Sequence, residues 1–265
     1  MGVPAPATTP AEASDGVRYV LGTPLHLTTY AQFAALCLGL LHRSGTTAVD
    51  FTNTQIVTMR RHQPGFKEIT SRFDYFVPDG MPLIWCLNWQ GAKLRDRVYG
   101  PSFMQYLIAR SPPSVSHYFL GGSPECVAKL RATFQAQNPQ AQIIGARHGY
   151  FKPEDEAAII EELNQLSPDF IWVGLGTPRQ QAWIHRYKTQ IRRGVICAVG
   201  FAFDVNAGTK KDAPVWLQRL GLTWLFRLAT EPARLAPRYL RYNTLFALYL
   251  LWDGMHRRAF RMWLG

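Results

Sequence analysis

One segment in the second half of this 265-residue chain constrains the fold most, because short apolar runs alternate there with glycine-bearing turns. Residues 170–175 form a β-branched and aromatic run that stops at Gly176, and the run over residues 195–199 also ends in glycine. Two fully apolar strands joined by one helix predict a right-handed parallel crossover that is buried on both faces. Ligands of such sheets bind outside the carboxyl ends of the strands.

The turn after the first apolar run is suited to an anionic ligand. Thr177 is predicted to cap a helix whose first residue is Pro178, a position where a missing N–H costs nothing. A helix N-terminus with Arg179 beside it favours a bound diphosphate. The candidate substrate contacts on this edge of the sheet are Gly176, Thr177, Arg179, Gln180 and Asp204.

Strand and helix patterns alternate over residues 16–208, which predicts an α/β fold with a mostly parallel sheet and flanking helices. Residues 1–15 are rich in Pro, Ala and Thr, and we expect a disordered lead that is not a signal peptide. From residue 209 to 265 the strand patterns stop, and arginine and aromatic residues dominate. The sequence therefore divides into a lead, an α/β core and a helical C-terminal appendage.

The charge balance indicates an anionic partner: 29 Lys and Arg stand against 18 Asp and Glu, a net charge of +11. Nucleic acid, anionic lipid and a phosphorylated substrate all fit that balance. The basic, aromatic appendage is typical of a helix pair lying on an anionic bilayer surface. The alternative is a helix pair packed on the core with a solvated arginine face. No apolar run reaches the ~18 residues of a membrane span.

Three polar residues near strand ends have both a structural and a chemical interpretation. Asp79 in Pro-Asp-Gly is either a turn residue or a carboxylate that accepts a proton from a sugar hydroxyl. Asn53 is either an Asx-turn residue or a nucleotide ligand. Arg97 is either a surface cation or a diphosphate clamp. Gln180 similarly either completes a capping box with Thr177 or binds a sugar or phosphate.

Common site motifs are absent from the sequence. There is no GxxxxGK[ST], no GxGxxG, no HExxH and no GxSxG. The four cysteines have no CxxC spacing, and we expect buried thiols and no zinc site. These patterns predict neither a metal nor a dinucleotide cofactor.

Seven modest motifs, in order over about residues 17–242, together resemble the WecG/TagA/CpsF glycosyltransferases. The motifs are VPDGMP at 77–82, RVYGP at 97–101, FLGG at 119–122, HGYF at 148–151, VGLGTPRQ at 173–180, VGFAFD at 199–204 followed by Ala207 and Gly208, and GLTWLFRL at 221–228 followed by EPAR at 231–234.

The resemblance implies a Rossmann-like core and an inverting transferase that uses no metal or other cofactor. Its donor would be a UDP-sugar of the glucose or N-acetylmannosamine type, and its acceptor a polyprenyl-diphosphate-linked saccharide. The reaction would serve cell-surface or exopolysaccharide biosynthesis at the cytoplasmic face of the plasma membrane. The enzyme would be peripheral on that anionic surface, would not bind nucleic acid, and could form a homo-oligomer.

The resemblance also implies roles for individual residues. Asp79 would be the general base, and Arg97 would neutralise charge on the leaving UDP. The implied donor contacts are Asn53, Thr52 and Gln180. The implied lipid or diphosphate contacts are Arg227, Arg234 and Arg238.

Five positions depart from the family's usual residues, namely Phe51, Gln181, Thr223, Ser102 and Asp212. At Phe51 the usual hydroxyl contact is lost or moved to Thr52. Acids that are usual near the donor are missing at two of them, which leaves both donor types open. The main alternative hypothesis is a basic Rossmann-like module that binds a polyanion or nucleotide without catalysis, which the net charge alone permits.

Overall fold

Six parallel strands form the central sheet of the protein, which a computed structural model describes over residues 16–264, with side chains through residue 255. The predicted disordered lead, residues 1–15, lies outside the described residues. The strands of the chain are β1 (Val17–Val20), β2 (Thr23–His26), β3 (Gly45–Thr52), β4 (Tyr75–Pro78), β5 (Ser116–Gly121), β6 (Gln142–Arg147), β7 (Phe170–Gly174) and β8 (Arg193–Ala198).

Twelve α-helices lie within the described residues. They are α1 (Tyr30–Leu40), α2 (Thr54–His62), α3 (Pro64–Ile69), α4 (Met81–Trp89), α5 (Gly100–Arg110), α6 (Pro124–Gln137), α7 (Glu156–Leu166), α8 (Arg179–Tyr187), α9 (Ala202–Asn206), α10 (Val215–Arg219), α11 (Thr223–Thr230) and α12 (Pro232–Leu264). Short 3-10 turns occur at Thr70–Arg72 and Pro153–Asp155.

The sheet has the strand order β4-β3-β8-β7-β5-β6, and β1 and β2 form a separate antiparallel hairpin. All five neighbouring pairs of the large sheet are parallel. Because parallel strands share one direction, their carboxyl ends meet at one edge of the sheet. The predicted α/β class with a mostly parallel sheet is therefore confirmed.

Two hydrophobic layers cover the sheet, one on each face. In β7, Phe170 and Trp172 pack into one layer, whereas Ile171 and Val173 pack into the other. Successive strand residues point to opposite faces, so a strand covered on both sides is apolar at every position. Helices α2, α4, α7 and α8 contribute to one layer and α1, α5, α6 and α9 to the other.

The ends of β5 and β7 approach each other closely. A Cβ on Gly121 would lie 2.4 Å from the backbone carbon of Gly174, and the φ of Gly121 is +146°. Only glycine fits this position without displacing backbone. The close approach brings the loops after β5 and β7 side by side.

The predicted helix pair of the C-terminal segment is wrong, because three helices form it: α10, α11 and the 33-residue α12. The long helix packs on α2, where Tyr242 accepts a hydrogen bond from Gln63 Nε2 at 2.9 Å and Phe246 is buried. Helices α10 and α11 bury no side chain fully. Within residues 16–264, no helix has both the length and the apolar character needed to cross a membrane.

The start of α8 also differs from the prediction. The helix begins at Arg179, with Pro178 at the N-cap position after a cis peptide bond, and no side chain caps it. Thr177 is therefore not the cap. Its hydroxyl oxygen accepts a long hydrogen bond of 3.5 Å from Gln181 Nε2.

Candidate active site

A cavity of about 690 Å³ opens at the carboxyl edge of the sheet. This volume is within the usual range for small-molecule sites. The loops that follow β3, β4, β5, β7 and β8 line one side, and α11 and α12 line the other. Of the residues selected from the sequence, the cavity is lined by Asn53, Asp79, Arg97, Gly176, Thr177, Arg179, Gln180, Asp204, Arg227, Arg234 and Arg238.

Asp79 lies directly after β4 and is held by backbone on both sides. Its N–H donates to the carbonyl oxygen of Thr52 at 2.7 Å, and its Oδ1 accepts a hydrogen bond from the Gly100 N–H at 3.2 Å. Burial raises the pKa of Asp79 to about 7, although nearby Arg97 and the Gly100 hydrogen bond oppose the shift. A carboxyl group that titrates near neutral pH is suited to general-base catalysis.

Arg97 is a buried cation that joins the core to the appendage. Its Nη1 donates to the carbonyl oxygen of Asp79 at 3.1 Å, while Nη2 donates to Gln218 Oε1 at 3.1 Å and Thr223 Oγ1 at 3.3 Å. The guanidinium carbon lies 4.0 Å from the centroid of the Tyr99 ring. Its side chain is therefore not a surface cation, and part of its hydrogen-bonding capacity is used within the protein.

Asp212 forms hydrogen bonds with Tyr99 and Gln218, two residues that contact the Arg97 guanidinium. Its Oδ1 accepts a hydrogen bond from the Tyr99 hydroxyl at 2.8 Å, and its Oδ2 accepts one from Gln218 Nε2 at 3.1 Å. The side chain at this departure from the family pattern thus contacts the α10 end of the appendage and does not line the cavity.

The loop after β3 places Asn53 and Thr52 differently. Asn53 lines the cavity and also caps α2, since its Oδ1 accepts a hydrogen bond from the Ile56 N–H at 3.2 Å. Thr52 is fully buried below the cavity lining, and its hydroxyl donates to Asp50 Oδ1 at 2.6 Å. Gln181 Nε2 donates to the other oxygen of Asp50 at 2.8 Å. Thr52 therefore does not line the cavity, and its hydroxyl instead holds the buried Asp50 beneath the lining residues.

The turn after β7 is held by Gln180 in a way that the sequence did not predict. Gln180 Oε1 accepts a hydrogen bond from the Gly176 N–H at 3.1 Å, so the side chain closes the turn and no capping box with Thr177 forms. Arg179 donates to the carbonyl oxygen of Phe151 at 3.3 Å. Asp204 lies inside α9, where its Oδ1 accepts a hydrogen bond from Thr209 Oγ1 at 3.1 Å.

Three arginines of the appendage face the cavity together. The Nε atoms of Arg227 and Arg238 are buried without a hydrogen-bond partner among the described residues. Burial lowers the pKa of Arg238, and repulsion from Arg227 and Arg234 lowers it further. Arg227 and Arg238 are half-buried and Arg234 is exposed, and guanidinium groups that repel one another in this way would be stabilised by a bound anion, because phosphate oxygens accept strong hydrogen bonds from arginine.

Glu231 holds part of this cationic cluster in place. It accepts hydrogen bonds from Arg234 Nε at 2.7 Å and from Lys210 Nζ at 3.1 Å. The Arg234 hydrogen bond, with help from Lys210, lowers the pKa of Glu231 to about 2. The carboxylate thus joins the end of the core to the start of α12.

Sequence reasoning missed several residues of the cavity. Lys210 lies two residues after Gly208 of the recognised Ala207-Gly208 motif, so its position in the chain was a usable signal. Tyr150 and Phe201 lie within the HGYF and VGFAFD motifs, which also gave a usable signal, whereas Tyr239 and Asn243 are brought to the cavity by α12. Among residues 16–255, whose side chains the structure describes, no cluster of three or more His, Cys, Asp or Glu residues could hold a metal ion.

Comparison with known proteins connects this cavity to a glycosyltransferase family. The sequence model of the WecG/TagA/CpsF family of glycosyl transferases matches residues 18–260. A Bacillus spizizenii protein described as N-acetylglucosaminyldiphosphoundecaprenol N-acetyl-beta-D-mannosaminyltransferase is 28% identical over 183 residues, which cover 69% of this chain and 70% of the relative. A Bacillus subtilis protein of the same description is 26% identical over 187 residues, with 70% and 72% covered.

Proposed function

The chain belongs to the WecG/TagA/CpsF family of glycosyl transferases, and from this premise we propose that it transfers N-acetylmannosamine from a UDP-linked donor. The proposed acceptor is a polyprenyl-diphosphate-linked N-acetylglucosamine. The descriptions of both relatives support this pair of sugars. We further propose that the product serves cell-surface polysaccharide synthesis at the cytoplasmic face of the plasma membrane.

One observation carries the mechanism: a carboxyl group with a pKa near 7 and a cluster of arginines lie along the same cavity. Glycosyl transfer to a hydroxyl needs a base for the incoming oxygen and stabilisation for the departing diphosphate. Asp79 offers the first, and Arg227, Arg234 and Arg238 offer the second.

The proposed step is a single displacement. The Asp79 carboxylate takes the proton from the acceptor hydroxyl while that oxygen forms a bond to the anomeric carbon. The bond between that carbon and the diphosphate oxygen breaks, and UDP leaves with the electron pair. Because the acceptor attacks opposite the leaving group, the anomeric configuration inverts.

Arg97 has a positioning role in this proposal. Its hydrogen bond to the Asp79 carbonyl fixes the backbone of the base, and its contacts with Gln218 and Thr223 tie that backbone to the appendage. Its charge also favours the ionised form of Asp79. Neutralisation of the leaving UDP then falls mainly to the appendage arginines.

Among the polar departures Gln181, Thr223, Ser102 and Asp212, only Thr223 lines the cavity, and its uncharged side chain is consistent with a neutral donor sugar. Ser102 is exposed and outside the cavity lining, and Asp212 is turned toward Tyr99. Gln181 contacts the buried Asp50. N-acetylmannosamine and glucose are both uncharged, so the donor must be identified by assay.

The test is UDP release from UDP-N-acetylmannosamine, UDP-glucose and UDP-N-acetylglucosamine, each with and without a short-chain polyprenyl-diphosphate N-acetylglucosamine acceptor. The proposal predicts acceptor-dependent release from UDP-N-acetylmannosamine alone. Release only from UDP-glucose would overturn the donor assignment. UDP binding without release from any donor would favour the nucleotide-binding module.

A further inference from the structure

We propose that an exposed aromatic patch, formed where helix α4 and strand β1 of the α/β core meet α10 of the appendage, binds an anionic lipid surface. The patch, here called the Trp patch, consists of Tyr19, Trp85, Trp89, Trp216 and Leu220. The inference rests on the proposed function, because a lipid-linked acceptor requires the cavity to work beside a bilayer.

The outer face of α4 carries two tryptophans where polar residues are normal. The helix buries Leu83, Ile84 and Leu87 in the core. Trp85 and Trp89 lie one helical turn apart on the opposite side, with 43% and 82% of their surface exposed. The solvent face of a core helix is normally polar, so two adjacent exposed tryptophans indicate a surface that meets a partner.

Neighbouring elements extend these tryptophans into a continuous patch. On one side, Gln90 Nε2 donates to the carbonyl oxygen of Tyr19 at 3.0 Å, which fixes the exposed Tyr19 of β1 next to the end of α4. On the other side, the ring of Trp85 lies against Gly221, since a Cβ there would be 2.9 Å from it. Leu220 precedes this glycine, and it is exposed, as is Trp216 in α10.

The charge around the Trp patch favours an anionic bilayer as the occupant. Residues 16–20, 85–95 and 215–225, which carry the patch residues, contain no Asp or Glu, and the exposed Asp96 directly follows the second segment. The same segments contain four exposed cations, Arg18, Lys93, Arg95 and Arg219. Tryptophan and tyrosine prefer the headgroup region of membranes, and nearby cations are attracted to anionic lipids.

The Trp patch lies next to the cavity, so a bilayer bound to the patch would also be close to the cavity. Met81 and Gly221 line the cavity, and Trp85 lies one turn after Met81 and against Gly221. The patch therefore borders the cavity at α4 and the loop between α10 and α11. A bilayer bound there would place the headgroup region, where a diphosphate-linked acceptor lies, beside the cavity.

The direct test is cosedimentation with phosphatidylglycerol vesicles, with Trp89→Gln as the main variant because this side chain is mostly exposed. If Trp89 inserts into the bilayer, its replacement by glutamine removes one large apolar side chain from the lipid contact. The protein should then partition onto the vesicles roughly tenfold more weakly. Lys93→Gln and Arg95→Gln should each cost about fivefold on anionic vesicles, and little on phosphatidylcholine vesicles. Leu220→Gln and Leu166→Gln form a matched pair, because the two leucines are 55% and 40% exposed and Leu166, on α7, lies outside the patch.

The proposal expects Trp89→Gln and Leu220→Gln to bind vesicles more weakly than wild type, and Leu166→Gln to bind them as wild type does, with the melting temperature unchanged in all three variants. UDP release with a water-soluble short-chain acceptor should stay at the wild-type rate in Trp89→Gln, so failure of the transferase assay and failure of this inference are separate results. Unchanged vesicle binding in both patch variants would overturn the proposal. If light scattering then showed that Trp89→Gln converts an oligomer to monomers, a second copy of the chain would be the occupant.

Discussion

The guanidinium of Arg97 donates a hydrogen bond to the main-chain carbonyl oxygen of Asp79 at 3.1 Å and forms no ion pair with the Asp79 carboxylate. Among the described residues, the hydrogen bond to that carboxylate comes from the Gly100 N–H. The cation therefore fixes the backbone of Asp79 and acts on its carboxylate through charge alone. Arg97 therefore affects Asp79 in two ways: its hydrogen bond positions the main chain, and its charge lowers the pKa of the carboxyl group. The two effects can be tested separately.

We expect Asp79→Asn to stabilise the fold at alkaline pH. The folded-state pKa of about 7 lies above the ordinary value of 3.8, so the folded state binds this proton more tightly. The corresponding stability is present below about pH 4 and is lost as the pH rises through 7. Asparagine carries no charge, so the free energy of unfolding of the variant relative to wild type should rise by roughly 2 kcal/mol between pH 4 and 8, after allowance for partial solvent exposure.

Urea unfolding at the two pH values measures this difference. Glu68→Gln, which removes an exposed carboxylate on α3, is the control for loss of a surface charge. A relative stability of Asp79→Asn that falls between pH 4 and 8 would show that Asp79 is not a carboxyl group with a raised pKa.

Arg97→Gln should move the acidic limb of the rate profile to higher pH. The arginine charge lowers the pKa of Asp79, so its removal raises that pKa, and a base must be ionised to work. Asp212→Asn should move the limb the other way, because the Asp212 charge raises the pKa of Asp79. Plots of log kcat/KM against pH give both values, and a common shift of the two variants in one direction would contradict the assignment.

Arg238→Gln should weaken UDP binding by roughly tenfold or more, because a buried charge-assisted hydrogen bond to phosphate is lost. Arg241→Gln is a matched control on the same helix, since Arg241 is exposed and does not line the cavity. Isothermal titration with UDP compares the two variants. Equal affinities would remove Arg238 from the diphosphate site.

Gly221→Ala should impair activity more than its backbone conformation alone explains. Gly221 and Gly208 have similar positive φ values of +70° and +66°, so alanine costs about 1 kcal/mol of backbone strain at either position. Only at position 221 would the new Cβ meet Trp85 at 2.9 Å, and the space around Gly208 is open. If both variants kept the same UDP release rate, the packing of the α10–α11 loop on α4 would not matter for the cavity.

The sequence patterns predicted the parts of the fold that depend on local periodicity. The all-apolar β7 and β8 indicated a doubly covered parallel sheet, as observed. The family match also confirms the enzyme class, a glycosyltransferase. Strand β2 was missed because Pro24 interrupts its pattern, and a proline of this kind is tolerated in a two-stranded hairpin.

Contacts between distant residues could not be predicted from the sequence. Arg97 and Gln218 are 121 positions apart, and nothing local indicates that they meet. The predicted Thr177 cap is wrong because the N-cap is the residue just before the helix, and α8 begins at Arg179, one residue later than predicted, so that Pro178 is at the N-cap position. The division of the appendage into more than two helices does have a local signal in the sequence. Pro214 immediately precedes α10 and Pro232 is the first residue of α12, and proline is common where helices begin.

The most direct test of the central claim is mass spectrometry of the lipid product formed at pH 8 by wild type and Asp79→Asn. The account predicts that wild type adds one N-acetylhexosamine to the polyprenyl-diphosphate N-acetylglucosamine acceptor. It predicts at least about a 100-fold slower reaction in the variant, with UDP affinity retained. Product formation at the wild-type rate by Asp79→Asn would contradict the account, because another group would then have to take the acceptor proton.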